Sequence, residues 1–179
     1  MNRFEDLFKE IKATDISENA FVLAGQVMPV VSVKTDNVSN AMLASGGGFA
    51  LMFRKPCTLL LFPKKRYTLD LIKQQQTYTL SYFDKSYQDQ IMYLGQHSGL
   101  DSNKMEEVKL NVIDTPLDNL TFEEAFLVIE CKLAQIVEPT YPDNFFLQDD
   151  IDYLAEPYLD DSEHREYVFG EITKVWVKK

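Results

Sequence analysis

Long runs of strand-forming residues govern what this chain can fold into. The clearest are 126–137 (FLVIECKLAQIV) and 167–177 (YVFGEITKVWV), and helices do not alternate regularly with them. A parallel sheet needs a crossover, usually helical, between successive strands, so this order argues against a doubly wound fold. A mainly β chain, folded as a closed or partly closed antiparallel barrel of Greek-key type with short peripheral helices, fits better. The 179 residues suit a single domain over 1–179 that buries its core without disulfide or metal.

Other elements follow from spacing. Phe4, Leu7, Phe8 and Ile11 recur at helical intervals and predict a surface helix over 3–12. Residues 21–33 read as a Val-rich strand with a bulge or edge at Pro29, which has no N–H to donate. The run 58–62 reads as a strand buried on both faces. Residues 69–75 read as a helix, 78–83 as a strand and 88–94 as a helix. Another helix is expected to start near Ser102 or Asn103, with Asp101 and Ser102 as caps. Segment 138–163 holds nine acidic residues and no Lys or Arg, yet carries Tyr141, Phe145, Phe146, Tyr153 and Tyr158. Disordered acidic tails are poor in aromatics, so this segment is expected to be an ordered insertion before the last strand.

The formal net charge of -10 disfavours nucleic acid and anionic membrane surfaces as partners. Cys57 and Cys131 lie in apolar runs without a CxxC pair, which predicts reduced core thiols and a cytoplasmic setting. The first residues, MNRFEDLFKEIK, lack the apolar core of a signal peptide, and no apolar run reaches membrane-spanning length. The two histidines, His97 and His164, show no metal-ligand spacing.

Three segments can carry chemistry. NAMLASGGG, residues 40–48, strings together small residues past which a ligand can approach the backbone, while its composition suits a plain loop as well. KKRYT, residues 64–68, places cations and a hydroxyl before a predicted helix, as an anion site or a solvated basic turn. GQHSGLDSNK, residues 95–104, puts Lys104 in the first turn of a helix, against the dipole. An anion between the lysine and the helix end would satisfy both. A surface lysine on a capped helix is the alternative.

Taken in order, NAM at 40–42, RYTLDLI at 66–72, GQHSGLDSNK at 95–104, IECKL at 129–133 and SEHREYVFGEI at 162–172 resemble the flavin reductase-like family, which includes flavoredoxins and NAD(P)H:flavin oxidoreductases. The resemblance runs from about Val30 to the last residue, and SGLDSNK is its most specific part. It implies an FMN-binding split β-barrel, a homodimer with flavin near the subunit interface. Asn40, Met42, Leu43, Ala44, Ser45 and Gly46 would line the isoalloxazine and ribityl chain. Thr68, helped by Arg66, would meet the phosphate. Ser98 and Lys104 belong to the same polar end, and His164 matches a histidine that lies close to the flavin in relatives. Departures are Leu43 in place of a frequent Thr, three glycines at 46–48 near a frequent Trp, and Glu163 in place of Asp. The insertion of about 20 residues before His164 is of a length that usually carries structure or function of its own.

No side-chain triad or Walker loop is evident, which agrees with chemistry carried by a cofactor. The resemblance implies an oxidoreductase whose FMN takes hydride from NAD(P)H and passes electrons to flavin or another acceptor. The alternatives are a flavoredoxin-like electron carrier that docks a redox protein, and a non-catalytic flavin-binding module.

Overall fold

The computed structural model describes residues 3–100, 103–138 and 165–179. Helix α1 (Arg3–Leu7) leads into strand β1 (Phe8–Ile11). A helical turn, α2 (Ala20–Val22), widens into a π-turn over Leu23–Val27. Strands β2 (Val30–Lys34), β3 (Ser39–Leu43), β4 (Gly47–Met52) and β5 (Lys55–Pro63) follow. Helix α3 (Tyr67–Gln75), strand β6 (Thr77–Tyr82), helix α4 (Gln88–Gln96) and the single turn α5 (Lys104–Glu107) come next. A small hairpin, β7 (Val112–Asp114) and β8 (Leu120–Phe122), precedes the long strands β9 (Leu127–Val137) and β10 (Arg165–Lys178).

The main sheet runs β3-β2-β6-β9-β10-β5-β4, with β1 also on β10. Its pairings are antiparallel. The path curls into a barrel split between β3 and β4. Strand period sorts its residues onto two faces. Val31, Val33, Leu80, Ile129 and Cys131 enter one core with Leu60, Phe62 and Ile72. Val30 and Val128 enter a second core with Phe4, Phe8, Leu94, Phe122 and Trp176. On this second face Glu130 is fully buried, and its carboxylate accepts from Trp176 Nε1 at 2.8 Å and Asn119 Nδ2 at 2.9 Å.

Three expectations need correction. The helix predicted over 3–12 stops at Leu7, and Phe8–Ile11 is a strand. The half of β10 beyond its pairing with β5 offers a free edge, which β1 takes with Phe8 opposite Lys178 and Ile11 opposite Val175. Phe4 stacks on Phe8 and meets Trp176 edge-on, so tertiary packing overrides the local period. The strand predicted over 21–33 begins only at Val30. Asn19 caps α2 by accepting from Phe21 N and Val22 N, and Met28 reverses the chain at φ 58°. Residues 58–62 are not buried on both faces: Thr58, Leu60 and Phe62 are buried, whereas Leu59 and Leu61 are half-exposed. The short hairpin β7–β8 is not announced by any long apolar or alternating run. Asp101, Ser102 and most of the 138–163 insertion lie outside the described residues.

Inside the barrel Tyr78 Oη and Thr58 Oγ1 are 3.0 Å apart. Gly170 is obligatory beside them, because a Cβ there would overlap Tyr78 Oη. Gly170→Ala is expected to cost about 1–3 kcal/mol in urea unfolding. Adding Tyr78→Phe should recover part of that loss.

Candidate functional site

The two open edges of the sheet, β3 and β4, are joined by residues 44–46, and this seam brings the sequence-predicted residues together. Ala44 N donates to Pro29 O at 2.9 Å on one side, and Leu61 N donates to Gly46 O at 3.2 Å on the other. Strand β3 pairs only with β2. Its other edge therefore presents backbone donors and acceptors.

At the apolar end of the seam, Gly46, Gly47 and Gly48 line a narrow cleft of about 10 Å³ with Ala24, Pro29 and Tyr82. The glycines open a strand and do not form a loop. Gly47 has φ 136° and sits against Leu59 O, where a side chain would overlap the carbonyl. A Cβ at Gly48 would meet nothing within 4 Å. Gly48 thus faces open space, while Gly47 is required by the close approach of β5.

At the polar end lies an open cleft of about 360 Å³, lined by Ser39, Asn40, Gly99, Asn103 and Lys104 among others. Asn40 and Thr68 are both buried, and Asn40 Nδ2 donates to Thr68 Oγ1 at 2.9 Å. This bond ties β3 to the first turn of α3. Gly99 presses so closely on Asn40 Oδ1 that a Cβ would overlap it. Ser98 is exposed and its hydroxyl accepts from Leu100 N at 3.2 Å, which shapes the loop.

Lys104 has a different role from the one its helix position suggests. Turn α5 is one turn long, and Lys104 Nζ reaches back to donate to Leu94 O at 3.1 Å and His97 O at 2.9 Å. It caps the C-terminal end of α4, where a cation is favoured. It is only 3% exposed. Burial, and then the positive charge of Arg66, bring its pKa from 10.5 down to about 8. Arg66 itself is exposed, precedes α3, and makes no ion pair among the described residues. Lys104 lines the cleft, and an anion there would relieve its repulsion from Arg66.

Met42 and Leu43 are half-buried and lean on opposite cores. Ala44 is buried, so it offers backbone alone, and its N–H is already engaged. Ser45 is exposed. His164 lies outside the described residues. Gly99 and Asn103 stood within the motif without being singled out. Their place in the cleft depends on the fold of the loop, which spacing does not encode.

The sequence matches the family described as flavin reductase like domain over residues 23–179, and the chain belongs to that family. No curated protein matches it significantly. Among solved structures it is similar to an FMN-binding protein from Thermus thermophilus with bound 1-cyclohex-2-enone, at 16% identity and TM-score 0.66 over 94% of this chain and 79% of the other. It is similar to an FMN-binding domain of a flavin reductases-like enzyme from Shewanella baltica OS155, at 16% identity and TM-score 0.67 over 95% and 76%. Flavoredoxin of Desulfovibrio vulgaris (Miyazaki F) matches at 20% identity and TM-score 0.65 over 93% and 76%. These likenesses establish the shared split-barrel fold. Among the described residues no helix is long and apolar enough to cross a membrane.

A phosphate monoester in the polar cleft favours protonated Lys104. Its affinity is expected to hold up to about pH 8 and to fall above it. The unliganded chain behaves oppositely. Its unfolded state keeps the lysine proton up to 10.5, so this residue's contribution to stability rises between about pH 8 and 10.5. Lys104→Met should flatten both trends, read by equilibrium dialysis and by thermal melts.

Proposed function

We infer that this chain binds FMN along the seam and works as a flavin-dependent oxidoreductase. The carrying observation is the placing of two clefts at the two ends of one segment, residues 40–48. Lys104, which feels the charge of Arg66, lines a cleft beside Asn40 at one end, and a narrow glycine-walled cleft lies at the other.

In this reading Arg66 and Lys104 hold the phosphate by charge, and the Asn40–Thr68 pair fixes the strand against α3. The outward backbone edge of β3 pairs with the heterocycle. Bound FMN would supply the redox chemistry, taking hydride from NAD(P)H and passing electrons to free flavin or another acceptor. The chain's residues orient the cofactor and exclude water. None needs to act as acid or base. Family membership and the FMN-binding neighbours support this reading.

A second reading, an electron carrier serving a protein partner, draws support from the flavoredoxin likeness and from the net charge of -10, which suits a basic partner. The reading also includes a homodimer in the cytoplasm. Leu51 and Phe53, exposed on the β4–β5 hairpin at 75% and 94%, are apolar surface that a second subunit can cover.

Protein incubated with FMN and desalted should keep a flavin absorbance band. Bleaching by anaerobic NADH or NADPH supports the reductase. A band that responds only to dithionite favours the carrier, and loss of the band on desalting defeats both. Arg66→Ala should weaken FMN binding on the order of tenfold without lowering the melting temperature, because the guanidinium makes no capping bond and its repulsion of Lys104 is relieved.

A further inference from the structure

The β4–β5 hairpin closes on a two-residue turn, Phe53 and Arg54, between the paired residues Met52 and Lys55. Both turn residues have positive φ, 50° and 66°. Two-residue turns of this kind favour Asn-Gly, and a bulky aromatic with positive φ is an outlier. Phe53 is also the most exposed large apolar side chain among the described residues, and Leu51 beside it is exposed as well. Helix α2, which packs against β4, exposes Phe21 and Val22. Four of the seven large apolar side chains exposed among the described residues therefore lie on the hairpin or on its neighbour. A strained backbone and a solvated ring are both unfavourable in the lone chain, and burying the ring against a partner offsets them.

A receptor of matching size lies near the base of the same hairpin. Residues 13–20 and strands β4, β5 and β10 enclose an open cavity of about 210 Å³, walled by Ile16, Leu23, Phe49, Ala50, Pro56 and Ile172 among others. It is smaller than a site for a drug-sized molecule. It has room for one aromatic side chain, since an apolar cavity of about 150 Å³ takes a benzene ring. The chain's own Phe53 stays out of it, in solvent. The charges are complementary. Residues 37–69, which include the hairpin, hold five Lys or Arg and no Asp or Glu, in a chain of net charge -10. Residues 13–20, which form one wall of the cavity, hold Asp15 and Glu18 and no Lys or Arg. Asp15 is exposed, and Arg54 makes no ion pair among the described residues.

We propose that two copies of this chain exchange hairpin tips, Phe53 of each filling the apolar cavity of the other. Arg54 then meets the acidic wall that carries Asp15, and the contact covers Leu51 and Phe21. A second copy is the occupant because one chain carries both complementary halves, a basic aromatic tip and an acidic apolar cavity. Such an exchange is isologous, so it closes at two copies. The contact gives the homodimer of the functional reading its surface, and rests on that homodimer and not on flavin binding.

The test is sedimentation velocity of the full chain over a range of concentrations. The parent should form a dimer. Phe53→Asn suits the positive φ of the turn, so it should stay folded by circular dichroism while its dimer weakens on the order of a hundredfold. Ala50→Leu, which fills the cavity from β4, should weaken the dimer likewise; Ala20→Leu serves if that variant melts early. Mixed together, the Phe53 and cavity variants keep one intact contact of two. They should therefore form a heterodimer weaker than the parent dimer and stronger than either variant alone. A dimer that Phe53→Asn leaves intact overturns this contact and leaves the homodimer standing. A chain monomeric at every concentration overturns both. Growth beyond two copies, or no gain on mixing, overturns the reciprocal exchange. Flavin retention after desalting, read on the same samples, bears on the functional reading alone.

Discussion

Strand β10 must satisfy three neighbours at once, and the rest of the barrel is arranged around that requirement. Its fourteen residues pair with β9 along one edge. The other edge is shared, β5 taking Arg165–Glu171 and β1 taking Val175–Lys178. Register shifts against β9 fall at Phe169/Gly170 and Ile172/Lys174, close to where the second edge changes partner. Such irregularities bend a strand and increase its twist. Here they let one strand belong to the curled sheet and also reach the aromatic cluster of Phe4, Phe8 and Trp176.

Much of this was legible in the sequence because long strands advertise themselves. Runs 126–137 and 167–177 correspond to β9 and β10 within two residues at each end. The α3–β6 pair was readable from the switch from helical to alternating period. The N-terminal elements were less readable, for a physical reason. Phe4 and Phe8 fit a helical stripe, but Phe8 is worth more beside Trp176 and opposite Lys178 than on a second turn of helix. Around Ala20 the apolar residues look strand-like, and Asn19, which satisfies two backbone donors, decides for a turn.

The site was legible as a set of residue types and less so as a set of roles. Lysine in a first helical turn suggested an anion near the helix start. In the fold the turn is too short to have a dipole of consequence, and the ammonium instead holds the carbonyls of Leu94 and His97. Lys104 thus shapes the loop that carries Gly99 onto Asn40, and its charge faces the cleft from a fixed place. Spacing placed these residues in one motif. Only the fold shows that the same lysine is both a cap and a source of field.

The seam between β3 and β4 has a consequence for the life of the chain. Two sheet edges meet there with a three-residue link and no ladder between them, so a ligand lying along the seam joins parts that the backbone leaves apart. Any such ligand binds the folded chain and not the unfolded one, and shifts their balance by mass action. In a cell where unfolded molecules are removed by proteases, the standing amount of this protein would then follow the supply of its ligand, with no change in its synthesis.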